Sequence, residues 1–145
     1  MPDASILGAN ADVTARLEAL AGRLSDRDLA RDLGGDWTVA TALAHVAFWD
    51  RRTAFVLQRW SNGGAAHVEL DDEVVNGALE GLLQAIDPHA AARLAVESAK
   101  RADAAIAMVP DAIASQIDAV EAHRYLLRRS NHRLEHIEQI EAGLR

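Results

Sequence analysis

Two histidines, His132 and His136, stand four residues apart in the run Ser130-Asn131-His132-Arg133-Leu134-Glu135-His136. On a helix that spacing stacks two imidazoles on one face. It is one way for a helix to offer two nitrogen ligands to a single metal ion. A third histidine, His45, lies far upstream in Thr41-Ala42-Leu43-Ala44-His45-Val46-Ala47-Phe48-Trp49. If the two helices pack together, three imidazoles converge on one ion and leave a coordination position for water or substrate. Blander readings fit the same residues. An i, i+4 histidine pair also arises by chance on a solvated face, and a histidine among Thr41, Ala42, Phe48 and Trp49 also reads as a satisfied core residue. His123, about half a turn round the helix from His132, and His67 and His89, in or beside loops, read as surface residues.

The rest of the inventory narrows the chemistry. Cysteine is absent, which removes disulfides, thiolate nucleophiles and cysteine-based zinc sites. Any metal must therefore be held by His, Asp or Glu. There is no Gly-rich phosphate loop and no Gly-x-Ser-x-Gly elbow. No repeated Glu-x-x-His pattern supports a di-iron bundle. Glu69, Asp71, Asp72 and Glu73 read as a helix-start charge cluster, and Glu135 and Glu138 point away from the histidine pair by about 100° or more. The net charge of −7 and the lack of a basic stripe argue against a nucleic-acid partner. No apolar run approaches the roughly 18 residues of a membrane span. The N-terminus lacks a signal-peptide core, so a cytoplasmic protein without a membrane partner is expected.

The elements that must position these residues all read as helical. At 145 residues a single domain spanning 1–145 is expected. The spacing predicts a first helix from about Ser5 to Leu24, then a short piece capped at Ser25-Asp26 and ended by Gly34-Gly35. A second helix starts at the N-cap Thr38, with Asp36 adding negative charge at its positive end, and runs to about Trp60. Ser61-Asn62-Gly63-Gly64 stops it. A third region runs from Asp71-Asp72 to Ile86 and breaks at Asp87-Pro88. It resumes from Ala90 to Val109, before Pro110. A fourth helix is predicted from about Ala114 to Gly143. Four amphipathic helices of this kind make an all-α four-helix bundle the leading architecture.

On a continuous fourth helix, Glu121, Tyr125, His132 and His136 share a narrow polar sector, flanked by Asp118, Arg128 and Arg129. Tyr125, Arg128 and Arg129 are candidates to orient a small-molecule substrate or a thiol carboxylate beside the ion. The two arginines also fit plain ion pairs with Glu121 or Asp118.

Three stretches resemble the DinB/YfiT superfamily of metalloenzymes. Asp36-Trp37-Thr38-Val39-Ala40 followed by Leu43-Ala44-His45-Val46-Ala47-Phe48-Trp49 is similar to that family's second-helix motif. His132-Arg133-Leu134-Glu135-His136-Ile137-Glu138-Gln139-Ile140 is similar to its last-helix motif. Glu73-Val74-Val75-Asn76-Gly77-Ala78-Leu79 resembles the third-helix start in the branch near mycothiol-dependent maleylpyruvate isomerase. The resemblance implies a four-helix bundle holding a divalent metal, often zinc or nickel, on His45, His132 and His136. It implies a homodimer, and a reaction in which a low-molecular-weight thiol such as mycothiol or bacillithiol, or a water, is activated against a small electrophile. That isomerase carries a further C-terminal domain, for which a chain ending at Arg145 leaves no room. A non-catalytic metal-binding or dimeric interaction protein of the same fold is the alternative.

Overall fold

Helix starts are set by side chains that accept otherwise unpaired backbone N–H groups. In the computed structural model, which describes residues 1–66 and 71–145, Asp3 caps α1, Ala4–Gly22, through the Ser5 N–H. Ser25 and Asp28 form a reciprocal capping box on the short α2, Asp26–Leu29. Thr38 accepts from the Thr41 N–H at the start of α3, Val39–Gly63, and Gly64 at φ 87° closes that helix. Asp71 caps α4, Asp72–Gln84, and Asp87 caps α5, Pro88–Ala107, with Pro88 in its first turn. The expected glycine stop after Trp60, the break at Asp87-Pro88 and the end before Pro110 are all present. His67 and Glu69, read as loop and helix-start residues, lie outside the described residues.

Two local readings are corrected. Gly34-Gly35 does not end a helix. It turns a small antiparallel hairpin, β1 Asp32–Gly34 with β2 Trp37–Thr38. The turn takes three successive positive φ values at Gly34, Gly35 and Asp36, a region glycine enters freely and Asp tolerates. Asp36 therefore shapes a turn rather than charging a helix end. The hairpin sits on the C-terminal end of the chain: Arg31 Nε donates to Gly143 O at 3.0 Å, and a Cβ at Gly143 would collide with Leu33.

The fourth helix is not continuous. It is split into α6, Asp111–Ala119, a 3₁₀ segment, Glu121–Leu126, and α7, Arg129–Gly143. No glycine or proline lies at either break. The cause is burial: Ile113, Ile117, Leu126 and Leu127 all enter one apolar cluster with Leu57, Trp60 and Ile106. On a straight helix Leu126 would point about 180° away from Ile117, so the chain bends to bury both. Asn10 of α1 repairs the second break. Its Nδ2 donates to Leu127 O at 2.8 Å and its Oδ1 accepts from Ser130 N at 2.9 Å.

The described chain is thus mostly helical, with one tiny sheet. Helix α3 packs on α5 and α7, α1 packs on the same two, and α4 leans on α3. A second apolar cluster joins Leu17, Leu20, Leu29, Val39, Leu43, Val46, Ala95, Ile137 and Ile140. Along α3 and α5, the buried Asp50 and the partly exposed Asp103 fall between the two clusters. No described helix is long and apolar enough to cross a membrane.

Candidate metal centre

Helices α3 and α7 pack together, and this brings His45 onto the His132–His136 face. Ligating nitrogens of the three rings all lie within 4.8 Å of one another. His45 Nε2 is 3.1 Å from His132 Nε2, and the ring centroids are 4.7–5.1 Å apart. The hairpin lays Trp37 over the cluster, 4.9 Å from His45 and stacked at 6.1 Å on His136. The three histidines open onto a pocket of about 440 Å³, also lined by Trp37, Trp49, Asp72, Asn76, Tyr125, Arg129 and Glu135. Trp49 Nε1 donates to Asn76 Oδ1 at 3.0 Å, which ties the start of α4 to the pocket wall.

Two of the three rings are held from behind by a hydrogen bond. Gln139 Oε1 accepts from His136 Nδ1 at 2.9 Å. This leaves the His136 Nε2 lone pair free, the arrangement by which second partners orient a metal-binding histidine. Arg129 Nη2 donates to His132 Nδ1 at 3.0 Å. His45 Nδ1 is buried without a hydrogen-bond partner among the described residues. No acidic side chain among the described residues joins the three rings.

Behind the rings is a buried charge network. Asp50 accepts from Arg129 Nε at 2.8 Å and from Arg133 Nε at 2.7 Å. Arg133 also reaches Asp103 and Thr14, each at 2.8 Å. Burial alone would lower the Arg133 pKa, but Asp50 and Asp103 outweigh it and raise it. The network fixes Arg129, and Arg129 fixes His132.

The candidate orienting residues separate. Tyr125 lines the pocket, and its hydroxyl oxygen accepts from Arg52 Nη1 at 2.8 Å. Arg129 lines it too. Arg128 does not: it pairs with Asp118 at 2.8 Å and borders an adjoining hollow. The break after Leu126 places Tyr125 by the turn of the 3₁₀ segment, not by a continuous helical sector. Glu135, expected to point away, lines the pocket. His123, read as a surface residue, is buried and packs 5.2 Å from Trp60, whereas His89 is exposed beside Asp26.

Sequence reasoning missed Asp50 and Arg133. A signal for Asp50 was available: Val46, Asp50, Thr53, Leu57 and Trp60 repeat at four and three, so an acid stands in the buried stripe of α3.

Burial lowers both inner histidine pKa values. His45 falls from 6.5 to about 4, through burial first and then His136 and Arg129. His132 falls to about 2, through burial, then Arg129 and the other two rings. Both are therefore neutral at physiological pH, the state that binds metal. The sign for stability follows. Unfolded, each ring takes a proton near 6.5; folded, each resists it, so the unfolded chain binds more protons as pH falls. Chelator-treated protein should lose melting temperature as pH drops from about 6.5, with the His45 contribution lost by about pH 4. A thermal melt series flat across that window would show that these rings are not buried neutral.

Comparison of the chain with family models, with curated proteins and with solved structures finds no match.

Proposed function

We propose that His45, His132 and His136 hold a divalent metal ion, zinc or nickel. In this reading the protein activates a low-molecular-weight thiol or a water against a small electrophilic molecule. The observation that carries the reading is a three-imidazole cluster at the wall of a pocket with no fourth protein ligand among the described residues. A structural ion site is closed by its own side chains, whereas a catalytic one keeps a position open. An ion so held lowers the pKa of a water or thiol in that open position towards neutrality. Because the chain has no cysteine, a reacting sulfur comes from a separate thiol.

The chain's own residues supply binding and orientation. Trp37 and Trp49 offer apolar faces to the substrate beside the rings. The Tyr125 oxygen accepts from Arg52, so its own hydrogen is free to donate into the pocket. Asp50 holds Arg129 at the pocket wall and is itself held by Arg133. The DinB/YfiT-like motifs around His45 and His132–His136 support the same assignment, with α1, α3, α5 and α7 as the four-helix bundle and a two-fold dimer as the assembly.

Metal analysis of the purified protein, followed by a turnover screen pairing thiols with electrophiles, tests the proposal. About one ion per chain is expected. Tyr125→Phe should keep the ion and lower turnover on the order of tenfold. A protein that takes up neither zinc nor nickel would refute the reading.

A further inference from the structure

Arginine is a donor only, so it can approach a histidine nitrogen only where that nitrogen carries a lone pair. Arg129 Nη2 is 3.0 Å from His132 Nδ1. A neutral His132 must then carry its hydrogen on Nε2. That Nε2–H faces His45 Nε2 at 3.1 Å, so His45 accepts and carries its own hydrogen on Nδ1, the buried atom without a partner. His136 carries its hydrogen on Nδ1, towards Gln139. Two rings therefore turn a lone pair to the centre and one turns an N–H to it. An ion cannot bind a nitrogen that bears a hydrogen and has already spent its lone pair in the ring.

We propose that Arg129 is a latch on the metal centre. It holds His132 in the tautomer that cannot ligate through Nε2, and metal capture requires Arg129 Nη2 to release His132 Nδ1 so that the hydrogen can move there. The inference rests on the three-histidine metal reading. The latch has a fixed post, since Arg129 Nε stays on Asp50 at 2.8 Å whichever way Nη2 turns. It sets a threshold for loading: a metal must displace a charge-assisted hydrogen bond before it gains its third ligand.

The test uses the full chain stripped with a chelator and then titrated with zinc. Nitrogen-15 NMR of the histidine rings is expected to show His132 protonated on Nε2, and His45 and His136 on Nδ1, before zinc is added. His132 should switch to protonation on Nδ1 as zinc binds. A stripped protein with His132 already protonated on Nδ1 overturns the latch. So does zinc binding that leaves the His132 pattern unchanged, or that leaves Nδ1 bare and still facing Arg129. Failure to bind zinc at all would strike the metal reading, a result distinct from the tautomer found in the stripped protein. Arg129→Gln adds a second arm, because a glutamine amide oxygen can accept from Nδ1–H. Its zinc dissociation constant is expected to fall about tenfold. An equal or weaker affinity in a folded Arg129→Gln protein overturns the proposal, and if that variant does not fold the wild-type spectra still decide.

Discussion

His136→Ala is expected to stay folded and to lose its ion. The three rings form a cluster whose nitrogens lie within 4.8 Å, and removing one leaves two donors with no cysteine to substitute. Losing an outer partner of a metal ligand already costs 10–100-fold in affinity, so losing the ligand itself should cost more than about 100-fold. The fold should tolerate the change, since His136 is at the pocket wall and its loss removes contact chiefly with Trp37 and the other two rings. Zinc titration of His136→Ala beside His89→Ala makes the comparison clean. His89 is exposed on α5 next to Asp26, and its loss should leave zinc binding unchanged. Wild-type affinity in His136→Ala would mean that the ion, if any, binds elsewhere.

Asp50→Asn should be the most destabilising single substitution near the site. Asp50 and Arg133 are fully buried, and Arg129 is nearly so. Two guanidiniums there face two carboxylates, Asp50 and Asp103. The asparagine leaves one buried positive charge unmatched, at a cost of about 3–5 kcal/mol. Against a total of about 5–15 kcal/mol for a domain, that is a large fraction. The urea midpoint should fall by more than about 1 M. Arg16→Ala, which breaks the solvent-facing pair with Glu141 at 2.9 Å, should cost under about 1 kcal/mol. Similar midpoints for the two variants would show that the buried network contributes no more than a surface pair.

What the residues announced, and what they did not, divides along the reach of the interaction. Thr38, Asp87-Pro88 and Gly63-Gly64 act on their immediate neighbours, so the helix ends they set were legible. The histidine pair was legible for the same reason, since four residues of helix suffice to align it. The meeting of His45 with that pair depended on one pairing, α3 on α7, which the motifs suggested and the packing supplied. The break at Val120 was hidden because its cause is Leu126 seeking the cluster around Leu57 and Trp60. The restart at Arg129 was hidden because its capping partner, Asn10, is more than a hundred residues away. Arg128 and Arg129, adjacent and chemically alike, separate only once α3 brings Asp50 to one and α6 brings Asp118 to the other.

The Asn10 clasp also bears on the order of events as the chain folds. It spans 117 residues to Leu127 and 120 to Ser130, and His45 meets His132 across 87. Contacts of such separation carry the loop-closure entropy of more than half the chain, so they form late. Before closure an ion finds at most a two-nitrogen chelate, His132 with His136, on a helix that has little reason to hold its shape alone. On the three-histidine reading, an ion would be a late guest in a pocket the polypeptide has already built, and a refolding rate independent of added zinc is the expected kinetic signature of that sequence.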